Sequence, residues 1–146
     1  MKKAKEVMLP SGKRMDAKVF MPHRVLNIDV SITCPATKSV MKVASQVPLY
    51  AATIREAYKC AKYEDEIDQE GGDFVPFVLE SFGAMTRTVE HMAELIADAA
   101  VNNCVPKPPT QQSVLNEIAV QLQRGVALCL IKALAAARQP LGPWVN

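Results

Sequence analysis

Histidine is almost missing from this chain. Only His23 and His91 occur in 146 residues, and neither has a partner at ligand or catalytic spacing. Each is read as an ordinary structural residue, so imidazole chemistry has little to build on. Cysteine is equally uninformative as a motif. Cys34, Cys60, Cys104 and Cys129 lie far apart, with no CxxC pair and no Cys/His ladder. That excludes an ordinary zinc site and predicts reduced thiols in or near the core of an intracellular protein. No run of about 18 apolar residues is present, so no membrane span is expected. The opening Met1-Lys2-Lys3-Ala4-Lys5-Glu6 is basic but has no apolar stretch behind it, unlike a secretory signal. Charge of one sign is also lacking: 17 Lys and Arg against 15 Asp and Glu leave a net +2. The chain is no bulk polycation, and any contact with nucleic acid must come from a local patch. No internal repeat or low-complexity block is visible.

What is present suits one globular α/β domain spanning 1–146. Apolar residues make up 49% and charged residues 22% of the chain, enough for a packed core. Residues 1–13 read as a lead-in closed by the turn Pro10-Ser11-Gly12. Val19 to Met21 and Val25 to Ile32 read as strands joined by Pro22-His23-Arg24, an antiparallel hairpin. In the second strand Leu26, Ile28, Val30 and Ile32 alternate with Asn27, Asp29, Ser31 and Thr33. Thr37 to Val47 permits a short helix. Pro48 to Tyr63 is a firm helix, with Ala51, Ile54, Tyr58 and Ala61 as its apolar stripe. Glu64 to Asp73 reads as an acidic solvated loop ending in Gly71-Gly72. Phe74 to Glu80 reads as a buried strand. Two helices follow, Met85 to Asn103 and about Gln111 to Arg138, and a Pro-rich tail over 139–146 carries Trp144. The expected fold is a small mixed sheet with an antiparallel hairpin, flanked by helices, with two C-terminal helices.

One constellation points to chemistry. Asp16 and Asp29 are separated by twelve residues and fall on the polar sides of neighbouring strands. Two carboxylates so placed can share a hard divalent cation, Mg²⁺ or Mn²⁺, with the backbone carbonyl of Val30 as a third ligand. On the helix, Arg55, Lys59 and Lys62 recur at i, i+4 and i+7, opposite the apolar stripe, with Glu56 and Tyr63 on the same side. A lysine there can stabilise charge on a phosphate, and Glu56 is a further candidate ligand or a partner for Lys59. Lys13, Arg14, Lys18, Arg24, Arg55, Lys59 and Lys62 form the basic strip expected to meet nucleic acid, and Tyr50, Tyr58 and Tyr63 are candidates for stacking on bases. Tyr58, on the apolar side, is expected in the core.

The segment from Gly12 to Ala84 resembles the restriction-like endonuclease domain of site-specific non-LTR retrotransposons, a branch of the PD-(D/E)XK nuclease superfamily. Lys13-Arg14-Met15-Asp16 stands for its basic residue and Pro-Asp, and Asn27-Ile28-Asp29-Val30-Ser31 for its second acidic strand. Lys59-Cys60-Ala61-Lys62-Tyr63 matches its Lys-x-x-Lys-Tyr helix, and Phe74-Val75-Pro76-Phe77-Val78 with Gly83 its last strand and turn. The resemblance implies a restriction-endonuclease-like core over 14–84, followed by a helical part over 85–138. It implies Asp16 and Asp29 as metal ligands, Lys59 or Lys62 as the catalytic lysine, and a metal-dependent nick in target DNA. Other domains of a reverse-transcriptase element protein would be the partners. Met15 replaces the proline, and Ser31 stands where the wider superfamily often has its lysine. No helix precedes Asp16. The alternatives are a catalytically inactive module of the same fold that binds nucleic acid or protein, or an α/β protein that self-associates through its C-terminal helix.

Overall fold

The computed structural model describes residues 7–9, 12–21 and 23–137. Glu6, the turn residues Pro10, Ser11 and Pro22, and the tail with Trp144 lie outside the described residues. The elements run β1 (Val7–Met8), β2 (Arg14–Met15), β3 (Ala17–Met21), β4 (Arg24–Thr33), α1 (Met41–Ala44), α2 (Tyr50–Glu70), β5 (Asp73–Glu80), α3 (Arg87–Asn102) and α4 (Gln111–Ala137). The main sheet has the order β3-β4-β5, and β1 pairs with β2 in a small ribbon.

The hairpin is antiparallel, closing where Met21 faces Arg24 and running to Ala17 against Ile28. β5 pairs parallel to β4, from Leu26 against Asp73 to Thr33 against Glu80. A parallel neighbour needs a crossover, and α1 and α2 supply it. The result is the mixed α/β sheet that the hydrophobic patterning predicts.

Alternation along the strands sends side chains to two different layers. Leu26, Ile28 and Val75 pack on Met92 and Leu95 of α3. Leu79 packs on Val89 of α3 and Leu122 of α4, with Leu115, Ile118 and Val126 beside them. On the opposite face Phe74 meets Tyr63 of α2, joined by Leu9 and Met15. Leu9 is only 4% exposed, so the segment read as a lead-in contributes to the core.

Three expectations need correction. The acidic segment after Tyr63 is helical as far as Glu70 and not a loop. Glutamate and glutamine are good helix formers and no glycine or proline interrupts residues 64–70, so the helix runs on until Gly71 and Gly72, both at positive φ, stop it. The stripe on α2 is also only partly buried: Ala51 faces inward as the pattern predicts, but Ile54, Tyr58 and Ala61 do not. Ile54 and Tyr58 are 45% and 56% exposed, while Ala52, Lys59 and Tyr63 are buried. The cause lies in β4, whose α2-facing Asp29 draws Lys59 and Tyr63 inward, while Arg55 and Lys62 stay exposed. Finally, Cys60, Cys104 and Cys129 are exposed and Cys34 is half-buried, so the thiols are not core residues.

One described helix, over Gln111–Ala133 of α4, is long and apolar enough by length and composition to cross a membrane. Its Leu122 is buried against β5 and α3, and Leu115, Ile118 and Val126 pack beside it.

Candidate active site at the free edge of β4

β3 pairs with β4 only as far as Ile28, which leaves the next amides of β4 without a strand on that side. Asp16, in the bend just before β3, fills the gap. Its amide donates to the Ile28 carbonyl at 3.1 Å. Its Oδ2 accepts the Val30 N–H at 2.6 Å. In a strand, the N–H and C=O of one residue point to the same side. The Val30 carbonyl therefore lies on the same free edge as the Asp16 carboxylate.

Asp29, one residue earlier, projects beneath α2. It is 5% exposed, and its Oδ2 forms a buried ion pair with the ammonium of Lys59, itself 7% exposed. Tyr63 donates from its hydroxyl to the Arg14 carbonyl at 2.8 Å and lies 3.4 Å from Asp29 Oδ1. The phenol thus ties β2, β4 and α2 together. A charge pair this far from water is favourable only when its remaining polar atoms are satisfied, and Tyr63 contributes to that.

The alanines let α2 lie close to the sheet. Ala51 and Ala52 are 3% and 0% exposed, and the Ala52 amide donates to Glu80 Oε1 at 3.3 Å. Glu80 thereby satisfies one of the otherwise orphaned first-turn amides of α2. Further along, Arg55 donates from Nε to Ser31 Oγ at 3.3 Å.

Lys62 is exposed and donates to the Tyr63 hydroxyl at 3.2 Å. That hydrogen bond above all raises its pKa over the usual lysine value, and the Asp29 carboxylate adds to the effect. Its ammonium stays charged at neutral pH. Lys13 donates to the Lys62 carbonyl at 2.8 Å, and both ammonium groups lie over the Tyr63 ring.

The residues singled out from the sequence are thus sorted by position. Asp16 sits on the Val30 amide at the edge of β4, and Asp29, one residue earlier on that strand, pairs with Lys59 and Tyr63 under α2; Arg55 reaches Ser31, and Lys62 and Lys13 lie over Tyr63. Arg14 brings its carbonyl to the hub, and Lys18 pairs with Asn27 on the adjoining part of β3. Arg24 does not belong here. It sits six residues before Val30, roughly 20 Å along β4, and its guanidinium is 3.8 Å from Asp73. Tyr63, expected to stack on bases, is 1% exposed and serves as a hydrogen-bond hub instead, while Tyr58, expected in the core, faces water. Glu56 points one carboxylate oxygen into the protein, where it has no hydrogen-bond partner. Partial burial, and then the Glu56 carboxylate one turn back, push the Cys60 thiol pKa up.

Ser31 carried a signal for its role, since it shares the strand face of Asp29. Glu80, at the end of the buried strand, is placed by its sequence position to cap the turn at Gly83 or to approach the site, and its side chain caps the first turn of α2 instead.

Among the described residues, no three His, Cys, Asp or Glu side chains gather closely enough to hold a metal ion. The oxygen donors available at the corner are two carboxylates and one main-chain carbonyl. Oxygen donors of this kind are those a hard cation such as Mg²⁺ takes, but the Asp29 carboxylate is already held by Lys59 and Tyr63.

Set against protein-family models, curated proteins and solved structures, the chain matches none of them.

Proposed function

We propose that the chain is a metal-dependent DNA endonuclease domain of restriction-endonuclease-like fold, nicking target DNA where β3 ends against β4. The observation that carries this reading is the buried Asp29–Lys59 pair set beside an Asp16 carboxylate clamped on the Val30 amide. The order β3-β4-α2-β5 and the resemblance of residues 12–84 to the retrotransposon endonucleases support it.

Asp16, Asp29 and the Val30 carbonyl would hold Mg²⁺ or Mn²⁺, which supplies a water of lowered pKa and offsets charge on the phosphate. The protein's own groups have separate tasks. Lys59 neutralises Asp29 and presents an ammonium to the phosphate when the carboxylate is otherwise engaged. Lys62, held charged by Tyr63, and Arg55 attract the flanking phosphates. Tyr63 fixes Asp29 relative to the β2 backbone, so the acid has one orientation. Sequence choice then rests with other domains of an element protein, inside the cell, because phosphate contacts read no bases.

Nicking of supercoiled plasmid with Mg²⁺ or Mn²⁺ tests this. The wild-type chain should nick, and Asp29→Ala should lose at least about a hundredfold of the rate, the scale of losing a key charge-stabilising group. Equal nicking by both proteins would overturn the site. A second reading, an inactive binding module of the same fold, is favoured by one observation: Asp29 is already engaged by both Lys59 and Tyr63. DNA binding without nicking, unchanged by Asp29→Ala, assigns the chain to that reading. The exposed Val120, Leu128, Leu130 and Ile131 of α4 favour self-association through that helix as a further property.

A further inference from the structure

The outward side of α2 carries an exposed ring that the phosphate chemistry does not use. Tyr58 is 56% exposed. A single exposed ring means little by itself, but this one is held. The Arg55 guanidinium carbon lies 5.2 Å from its ring centroid, within cation–π range. Arg55 is in turn anchored through Nε to Ser31 Oγ. Ser31 is buried on β4, two residues past Asp29 and on the same strand face. The chain of contacts therefore runs from the strand that carries the candidate acid, through a fixed guanidinium, to an exposed ring.

Lys62 continues the same stripe. Arg55, Tyr58 and Lys62 follow at spacings of three and four along α2, so one surface strip holds a cation, a ring and a second cation. The Lys62 ammonium donates to the Tyr63 hydroxyl, which itself lies 3.4 Å from Asp29 Oδ1, so the strip runs beside the acid pair.

We propose that Tyr58, backed by Arg55, is a stacking platform for one unpaired nucleobase of single-stranded DNA beside the Asp29–Lys59 corner. This rests on the nuclease-fold reading for the premise that DNA reaches that corner. Every base has a π face, so a ring platform binds without regard to sequence. The phosphates on either side of the stacked base meet Arg55 and Lys62. A base inside a duplex is already stacked on its neighbours and must be unstacked first. The strip consequently selects unpaired or branched DNA over continuous duplex.

The test measures binding of the full chain to a labelled oligothymidine strand and to a labelled hairpin duplex at low salt. Tyr58→Ala should weaken single-strand binding about tenfold and duplex binding by less than about twofold, because stacking but not phosphate contact is lost. Tyr58→Trp should keep or improve single-strand binding. A strand of abasic sugar phosphates should bind the wild type as weakly as oligothymidine binds Tyr58→Ala. Wild-type affinity of Tyr58→Ala for oligothymidine would overturn the platform, as would equal losses on both DNAs or an abasic strand that binds as well as the base-bearing one. Those results leave the nuclease reading standing. Failure of the wild type to bind either DNA removes both.

Discussion

Asp29 and Lys59 are charged side chains 5% and 7% exposed, and each loses most of its hydration on folding. Taking one away strands the other. Lys59→Met leaves a buried carboxylate without its counter-ion and should cost about 3–5 kcal/mol of stability. Replacing both, as Asp29→Leu with Lys59→Met, should recover most of that loss, since a buried pair exchanged for apolar groups of similar size is often close to neutral. Urea unfolding of the two single variants and the double variant measures this. Simple additivity of the single losses would show that the charges do not depend on each other. The two residues were recognisable as candidates from spacing and from the Lys-x-x-Lys-Tyr resemblance. The role of Tyr63 was not, because a tyrosine at a helix position reads equally as surface or hub until the Arg14 carbonyl and Asp29 arrive beside its hydroxyl.

Among the elements, α2 departs furthest from its sequence pattern, in length and in orientation. Its end depends on Gly71 and Gly72, at φ 70° and 92°. A Cβ on Gly71 would meet open space, whereas one on Gly72 would lie 2.6 Å from the Val25 carbonyl oxygen of β4. Gly71→Ala should therefore cost only the left-handed backbone penalty, about 1–2 kcal/mol. Gly72→Ala should cost more, because it adds a clash with the main chain of the central strand. Thermal melts of the two variants rank them, and equal losses would mean that β4 yields freely at Val25. The glycine pair was legible as a terminator. The residue at which the helix reaches it was not, because the charged run from Glu64 suits a loop and an exposed helix equally.

At the scale of the whole molecule, a polar-faced helix covers one side of the sheet and two apolar-faced helices cover the other. That division gathers cations at one end of β4 while the net charge stays near zero. If about four phosphates are neutralised there, raising salt from about 50 to about 200 mM should weaken DNA binding roughly a hundredfold. Arg24→Ala, at the far end of β4 and close to Asp73, should leave the slope of that salt dependence unchanged. Fluorescence anisotropy across a salt series reads both quantities. Salt-insensitive binding, or a slope that drops with Arg24→Ala, would move the phosphate track away from the proposed corner.

The sequence by itself determined the hairpin, the buried β5 and the two C-terminal helices, and put forward Asp16, Asp29 and a lysine of α2 as candidates. These follow from local periodicity, turn residues and motif spacing, which need no partner to act. Only the tertiary structure decided that α2 turns Lys59 inward while Arg55 and Lys62 stay at the surface, that Tyr63 is buried and Tyr58 exposed, and that Arg24 lies far from Asp16. Each of these depends on which surface meets which. The polar row Asn27, Asp29 and Ser31 on β4 sits more than twenty residues before α2's lysines, and hydrogen-bond satisfaction between the two outweighs the helix's own apolar stripe.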